Sequence, residues 1–339
     1  MTNNYLLNNL AVKKFIVANN WSSAVKFLLE DQKKNWSQLS RNYESLNSVE
    51  VKEFEFDSFK LRVQFNPGRI TSTSADVDNK TIRNRACFLC IENLPVEQKG
   101  LLYKNNFVIL ANPYPIFPAH FTIVKTEHTP QEILISFKYL LSLSKDLSND
   151  FTVFYNGPQC GASAPDHLHF QAGNSFFLPL ESDYKILMQR YGDVILSDNN
   201  TSVSAVDDGL RRFITFESDK EEEATSLFKT LYHLYKKSSE AKDEPKLNIL
   251  SSYEQGKGWR IIFFLREKHR PSHYFAAGED RILLSPAAVD YGGVCITPIK
   301  KDFDMITKNI LIEIFNEVSY DKDKFKYLVK ILKQKCKVQ

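Results

Sequence analysis

The stretch that decides the fold of this chain is Asn156-Gly-Pro-Gln-Cys-Gly-Ala-Ser-Ala-Pro-Asp-His-Leu-His-Phe-Gln171. It begins as a loop with two glycines and ends in five residues that alternate between polar and apolar side chains. Because successive side chains of an extended strand point to opposite faces, His167, His169 and Gln171 are predicted to share one face. Two imidazoles and an amide beside a glycine loop indicate a site that handles phosphate.

Composition limits what kind of protein carries this stretch. The chain has 339 residues, 43% of them hydrophobic, which is typical of a globular protein with a sizeable core. Its 44 basic and 41 acidic residues nearly balance, which argues against a broad nucleic-acid-binding surface. No apolar run reaches the ~20 residues that span a bilayer, and the N-terminus lacks the features of a signal peptide. Five cysteines do not indicate a disulfide framework. We therefore expect a cytoplasmic protein without a nucleic-acid or membrane partner, for which a homodimer is one permitted assembly.

The periodicity predicts an α+β fold, with antiparallel sheets covered by helices. Residues 1–50 are predicted to form a helical extension packed on the rest. Residues 51–200 are predicted to form a catalytic half, and residues 201–339 a second half with similar elements but without a His-x-His motif.

The elements behind this division follow from local patterns. Strict alternation predicts a strand at residues 59–65, and an apolar stripe predicts a helix at residues 131–146. The other predicted strands lie at residues 107–111, 121–124, 151–155, 166–172, 247–253 and 259–266. The other predicted helices lie at residues 220–237, 302–317 and 322–334.

The pair Cys87-Phe-Leu-Cys90 is compatible with zinc, with a redox site or with two buried thiols. A redox pair belongs beside a thioredoxin-like strand and helix, and no such pattern surrounds this one. Zinc needs two more ligands, and His128 and His167 would complete a Cys2His2 set drawn from three distant segments.

The histidine strand has both a structural and a catalytic interpretation. Its histidines could simply satisfy hydrogen bonds in the core. Alternatively, a neutral imidazole can attack an α-phosphorus in line and displace a phosphate leaving group. Gln171 does not titrate, so it could steady a phosphoryl oxygen without activating water. A covalent intermediate would then persist until a phosphate-bearing acceptor arrived, which indicates a transferase.

These motifs resemble the histidine-triad superfamily, in the transferase branch that has His-x-His-x-Gln, and the resemblance implies a histidine-triad-like fold in both halves. Cys87 and Cys90 look like the cysteine pair of the galactose-1-phosphate uridylyltransferases, which helps bind a structural zinc. The other two zinc ligands of those enzymes match His128 and His167. The resemblance therefore implies a structural zinc in this chain.

The same resemblance implies roles in catalysis. His169 matches the nucleophile that carries the nucleotidyl group, and Gln171 matches the glutamine that contacts the phosphate. His120 matches a histidine expected to support the motif histidines by hydrogen bonding. The residues that match the phosphate-contacting loop are Asn156, Gly161 and Ser163.

The motif departs from the uridylyltransferases at Leu168 and Phe170, where those enzymes have Pro and Gly. His-Leu-His-Phe-Gln after Gly-Ala-Ser looks more like the GDP-hexose phosphorylases, which use inorganic phosphate as acceptor. We therefore expect a nucleotidyltransferase or phosphorylase that acts on a nucleoside diphosphate sugar through a nucleotidyl-His169 intermediate and releases hexose 1-phosphate. The acceptor is then inorganic phosphate or another sugar phosphate. The alternatives are a diadenosine polyphosphate phosphorylase, a non-catalytic nucleotide-binding protein and a zinc-stabilised interaction protein.

Two arginines are further candidates for contact with substrate. Arg83 lies in the polar stretch of residues 71–85, which is either a solvated loop or a phosphate-contacting loop. Arg270 lies in a basic cluster at the end of a predicted strand. There it either faces solvent or binds the sugar phosphate or acceptor phosphate, because guanidinium pairs with phosphate through two hydrogen bonds.

Overall fold

The computed structural model describes residues 5–70, 78–198 and 200–336, so part of the predicted polar loop, residues 71–77, lies outside the described residues. In chain order the strands are β1 (Glu50–Glu55), β2 (Lys60–Phe65), β3 (Gly100–Tyr103), β4 (Phe107–Ala111), β5 (His120–Lys125), β6 (Phe151–Asn156), β7 (His169–Asn174), β8 (Gly192–Ser197), β9 (Thr201–Asp207), β10 (Arg212–Ser218), β11 (Leu247–Glu254), β12 (Gly258–Leu265) and β13 (Val294–Thr297).

The α-helices of the described residues are Leu10–Val17, Trp21–Asn35, Ser37–Glu44, Asn79–Asn84, Phe137–Asp146, Pro179–Tyr191, Glu221–Ser238, Ser272–Phe275, Ala288–Tyr291, Lys300–Met305, Lys308–Val318 and Lys322–Cys336. Short 3-10 turns lie at Ser45–Ser48, Pro67–Arg69, Ile91–Asn93 and Gly278–Asp280. None of these helices is long and apolar enough to cross a membrane.

A ten-stranded antiparallel sheet organises the chain, in the order β3-β4-β5-β7-β6-β11-β12-β10-β9-β8. From its outer edge to the middle, the first half runs β3, β4, β5, β7, β6, and the second half runs β8, β9, β10, β12, β11. In both halves the fifth strand along the chain therefore lies between the third and the fourth. In each half one long helix connects the third strand to the fourth, namely Phe137–Asp146 and Glu221–Ser238. The halves meet where β6 pairs with β11, with Asn156 opposite Asn248. The predicted α+β fold of antiparallel sheets and helices is confirmed, and the shared strand order identifies the two related halves.

The two faces of this sheet are covered differently. On one face, the N-terminal helices and the two long connecting helices form the main core, which includes Phe170 of β7 and Leu168, just before that strand. On the other face, the second half is covered by a smaller sheet, in the order β1-β2-β13, and by the helix Lys308–Val318. The corresponding face of the first half carries His169 and Gln171, and there the covering elements leave a cavity.

Two helix predictions need correction. The helix predicted at residues 131–146 begins only at Phe137, because the Gln131 side chain and the Ile133 backbone bond to other segments of the chain. The helix predicted at residues 302–317 is two helices, and the second is capped by Thr307, whose side chain accepts the Ile310 N–H. The strands β1, β3, β8, β9, β10 and β13 were not predicted.

Candidate active site and metal cluster

A cavity of about 440 Å³ lies between the two halves, beside the start of β7. Six of the residues predicted to be catalytic or to bind substrate line it: Asn156, Gly161, Ser163, His169, Gln171 and Arg270. His120 lies behind Gln171 and supports it. Arg83 is exposed on the helix Asn79–Asn84 and does not line the cavity.

His169 is held in one tautomer. Its Nδ1 lies 2.8 Å from the carbonyl oxygen of His167, which can only accept, so Nδ1 carries the proton and donates. Nε2 is therefore left with an unprotonated lone pair. Burial lowers the pKa of His169 to about 4, so the ring is neutral near pH 7. A neutral imidazole with a bare nitrogen beside a cavity is a competent nucleophile.

His120 orients the amide of Gln171. The His120 Nδ1 accepts the backbone N–H of Ile116 at 3.2 Å, so its Nε2 carries the proton. That nitrogen donates to the Gln171 Oε1 at 3.0 Å. Burial lowers the pKa of His120 to about 3, which keeps this arrangement neutral. With its oxygen engaged by His120, Gln171 has its two amide hydrogens available to an anion in the cavity.

The loop that follows β6 is held by the second half. The Asn156 Oδ1 accepts from the Asn248 side chain at 2.8 Å and from the Ala288 backbone at 2.9 Å. Gly161 has a φ of +92°, and a Cβ there would lie 2.5 Å from the Cβ of Ala287. A side chain at this position would therefore both strain the backbone and push the loop off the second half.

Arg266 extends this support to the opposite wall of the cavity. It is fully buried, and one terminal nitrogen donates to the Asn248 Oδ1 and to the Pro286 carbonyl, each at 2.7 Å. The other terminal nitrogen donates to the carbonyls of Lys268 and His269, both at 3.2 Å. Sequence reasoning missed Asn248 and Arg266, because only the pairing of β6 with β11 brings them to the site.

Arg69 is a second residue that sequence reasoning missed. It is the last residue of the turn Pro67–Arg69, just after β2, and it lines the cavity with one terminal nitrogen 2.7 Å from the Tyr114 carbonyl. Its buried Nε has no hydrogen-bond partner among the described residues. Burial lowers the pKa of Arg69 to about 10, so it remains a cation near pH 7. The sequence signal for Arg69 was its position in the turn that ends a predicted strand. Arg83 was proposed as a substrate contact instead.

The four predicted metal ligands lie together at the edge of this cavity. The ligand atoms of Cys87, Cys90, His128 and His167 all lie within 4.8 Å of one another. Three contacts between cysteine sulfur and histidine Nδ1 measure 3.1, 3.4 and 3.6 Å. A tetrahedral zinc with bonds of about 2.0–2.3 Å would hold its ligand atoms roughly 3.3–3.8 Å apart, and these three sulfur–nitrogen contacts lie in or near that range.

The surroundings of this cluster also fit a metal ion. The His167 Nε2 donates to the Lys125 carbonyl at 2.8 Å, which leaves Nδ1 available as a ligand. Burial and the neighbouring Cys87 thiol raise the pKa of Cys90, so the two sulfurs need a cation before they can both be thiolates. Phe88 and Leu89, between the two cysteines, line the cavity. The cluster can therefore hold a metal ion and anchor one wall of the cavity.

Comparison with known proteins agrees with this architecture. Residues 28–174 match a domain of unknown function, DUF4922, and residues 191–339 match the GDPGP1-like C-terminal domain. No curated protein sequence matches the chain.

Among solved structures, the chain is similar to yeast Ap4A phosphorylase Apa2, with a TM-score of 0.51, 16% identity and coverage of 84% of this chain and 94% of that chain. Apa2 in complex with Ap4A matches with a TM-score of 0.52 and 16% identity, over 85% of this chain and 97% of that chain. Similarity at this identity shows the fold. The chain therefore has the fold of these phosphorylase structures, and its second half matches the GDPGP1-like C-terminal domain.

Proposed function

We propose that the protein is a nucleotidyltransferase that phosphorolyses a nucleoside diphosphate sugar through a nucleotidyl-His169 intermediate. The observation that carries this proposal is the tautomer of His169, whose bare Nε2 belongs to a ring lining a cavity with cationic side chains. Because Nδ1 is bound to the backbone of its own strand, Nε2 is the ring nitrogen that can react with a substrate in this cavity.

In the first step the Nε2 lone pair attacks the α-phosphorus. A phosphorus–nitrogen bond forms, and the bond from that phosphorus to the bridging oxygen breaks. The electron pair leaves with hexose 1-phosphate, which needs no protonation to depart. Gln171 and Arg69 are placed to stabilise the charge on the phosphoryl oxygens, because they bring N–H donors to the same cavity as His169.

In the second step an oxygen of inorganic phosphate attacks the same phosphorus. The phosphorus–nitrogen bond breaks, its electron pair returns to Nε2, and a nucleoside diphosphate is released. Arg270 lines the cavity from the second half, and we assign it to the acceptor phosphate. The absence of a titratable group at Gln171 keeps water from being activated at this stage.

We also propose that the metal cluster holds zinc in a structural role. Cys87, Cys90, His128 and His167 provide the two sulfur and two nitrogen ligands that suit tetrahedral zinc. Four protein ligands leave no open position, so bound zinc would supply cross-linking of distant segments and no chemistry. Its effect on the reaction would be to hold the wall formed by Phe88 and Leu89.

The substrate is proposed from two lines of support. The GDPGP1-like match and the His-Leu-His-Phe-Gln motif support a GDP-hexose. The similarity to Ap4A phosphorylase, whose structures include complexes with Ap4A and with AMP, supports a diadenosine polyphosphate as the second candidate. Both substrates offer an α-phosphorus and a phosphate-bearing leaving group, so the same first step serves either one.

Intact-mass spectrometry of the protein distinguishes these possibilities. The protein is incubated with GDP-glucose, UDP-glucose or Ap4A and denatured at alkaline pH, because a phosphoramidate hydrolyses in acid. We expect a GMP adduct from GDP-glucose that is lost on adding inorganic phosphate, with release of GDP, and that is absent from His169→Asn. The exposed His233 supplies the control variant, His233→Asn, which should retain the adduct.

The other outcomes separate the competing functions. An adduct formed only from Ap4A would favour the diadenosine polyphosphate phosphorylase. Nucleotide binding without an adduct would favour a non-catalytic nucleotide-binding protein. If the protein binds none of GDP-glucose, UDP-glucose and Ap4A, the result would favour an interaction protein stabilised by its metal cluster.

A further inference from the structure

The strands β6 and β7 separate where the cavity opens. Their backbone pairing runs from Phe151 opposite Asn174 to Phe154 opposite Gln171 and ends there. Continued pairing would place Asn156 opposite His169, the two residues on either side of the reaction centre. Buried backbone groups at this point need other partners, because an unpaired amide or carbonyl is destabilising.

The side chain of Gln131 supplies those partners. Its Nε2 donates to the Asn156 carbonyl at 2.9 Å and to the His169 carbonyl at 3.0 Å. Its Oε1 accepts the His169 backbone N–H at 2.8 Å. Both donors and the acceptor of one amide group are thus engaged by the backbone of the two diverging strands. The side chain takes the place that a peptide group of a neighbouring strand would occupy.

Gln131 is itself firmly held. Its backbone N–H donates to the Pro165 carbonyl at 3.1 Å. Two residues further on, the Ile133 N–H donates to a carboxylate oxygen of Glu244 at 2.6 Å. The other oxygen of Glu244 accepts the Tyr155 hydroxyl at 2.7 Å. The non-helical course of residues 131–136 therefore places a buried amide at the nucleophile and ties it to both halves.

We propose that Gln131 is a positioning residue that fixes the backbone of His169 relative to Asn156. Because both backbone groups of His169 are bound by one amide, the direction of its Nε2 is set before substrate enters. Gln131 does not line the cavity and makes no contact with the reacting atoms. This inference rests on the proposed function, since it assigns Nε2 as the nucleophile.

The test compares two buried glutamines. Gln131→Leu removes the amide at His169. Gln32→Leu removes a fully buried amide that neither lines the cavity nor contacts His169, and that accepts the Lys99 backbone N–H at 2.9 Å. The rate of adduct formation is measured by rapid quench with GDP-glucose, or with Ap4A if only that nucleotide reacts. We expect Gln131→Leu to lower this rate about 100-fold, the loss that a displacement of ~1 Å can produce, with Gln32→Leu within about threefold of the wild type.

Two further readouts separate positioning from general damage. The dissociation constant for the matching nucleoside monophosphate, GMP or AMP, should change less than about threefold in Gln131→Leu, because the ligand contacts remain. Hydrogen exchange of the His169 amide should be slow in the wild type and in Gln32→Leu, and at least ~10-fold faster in Gln131→Leu.

Gln131→Glu gives the second variant. Its carboxylate can accept the His169 N–H, so exchange of that amide should stay slow. It has no hydrogen to donate to the two carbonyls, so the adduct should still form more slowly than in the wild type. If Gln131→Leu does not fold, this variant decides, and wild-type adduct formation in it overturns the proposal.

A Gln131→Leu variant that forms the adduct as fast as Gln32→Leu would also overturn the inference. A wild type that forms no adduct from either nucleotide would refute the proposed function instead. In that case the exchange measurement alone would decide whether Gln131 fixes the His169 backbone, because it requires no substrate. Equal exchange of the His169 amide in all variants would show that it does not.

Discussion

The strands β7 and β12 hold equivalent places in two halves of the same topology, but their surroundings are opposite. Both turn one set of side chains into the main core under the helices. On the other face β7 presents His169 and Gln171 to a cavity, whereas β12 presents Ile262 and Phe264 to a second apolar core. Burial of apolar surface stabilises a fold by about 25 cal/mol per Å², so β12 adds stability where β7 carries polar groups.

The difference indicates a division of labour within one duplicated sheet. The second half has no His-x-His motif, yet its Asn248, Arg266 and Ala287 hold the loop of the first half from Asn156 to Gly161. An apolar core lies on the same side of the second half. The second half therefore lacks the histidine motif but contributes contacts that hold the cavity loop.

The largest expected effects come from placing an asparagine in each of the two strands, at His169 of β7 and at Ile262 of β12. His169→Asn should lower the rate of adduct formation by about 10⁴-fold or more, because the nucleophile is lost, while the free energy of unfolding changes by about 1 kcal/mol. Ile262→Asn should do the reverse and lower the free energy of unfolding by about 3 kcal/mol, because it buries an amide in an apolar core.

Rapid-quench rates and urea unfolding curves check this pair of variants. The rates are compared at a temperature at which Ile262→Asn remains folded. Comparable rate losses in both variants would contradict the division of labour.

The next effect concerns the support that the second half gives to the site. Arg266→Met removes a guanidinium that donates to five acceptors, so we expect a loss of about 3 kcal/mol in unfolding free energy. The rate of adduct formation should also fall roughly 100-fold as the loop around Asn156 loses its anchor. The buried Arg211, which pairs with Asp208 at 2.7 Å, offers a matched control.

Arg211→Met should destabilise the fold by a similar amount but retain the rate of adduct formation in the folded protein. Kinetics at matched folded fractions would separate the two variants. Equal rates in both would mean that Arg266 only stabilises the fold.

A smaller effect on the rate is expected from the metal cluster, because it supports a wall and takes no part in the bond changes. Cys90→Ser should abolish stoichiometric zinc, measured by metal analysis, and lower the free energy of unfolding by about 3 kcal/mol. Cys336→Ser, at a buried cysteine outside the cluster, should keep the metal. Chelator treatment of the wild type should reproduce the Cys90→Ser loss, and a wild type without metal would refute the zinc assignment.

The smallest expected effect is at Arg270. Arg270→Ala should raise the KM for inorganic phosphate about tenfold, while the rate of adduct formation changes less than twofold, because this residue is assigned to the acceptor step. Its guanidinium also lies 4.2 Å from the Tyr274 ring centroid, so Tyr274→Leu is a control for lost packing. Equal losses in both half-reactions would contradict the assignment.

Local pattern in the sequence was enough to predict the parts of the site that lie within one segment. Alternation in residues 168–171 indicated that His169 and Gln171 face the cavity and that Leu168 and Phe170 enter the core. The Cys-x-x-Cys spacing, together with the family resemblance, predicted the Cys2His2 cluster. The recurrence of similar element types along the chain indicated two halves. The structure shows that each half has the same order of strands and one long connecting helix.

The tertiary structure alone decided the rest. Arg69 lines the cavity and Arg83 does not, and Asn248 and Arg266 reach the site only because β6 pairs with β11. Gln131 lies where its local pattern predicts a helix, yet its amide binds the diverging strands. A sequence pattern reports burial and backbone preference over a few residues. Contacts between residues some 40 to 130 positions apart depend on how the strands assemble, and these contacts orient His169 within the cavity.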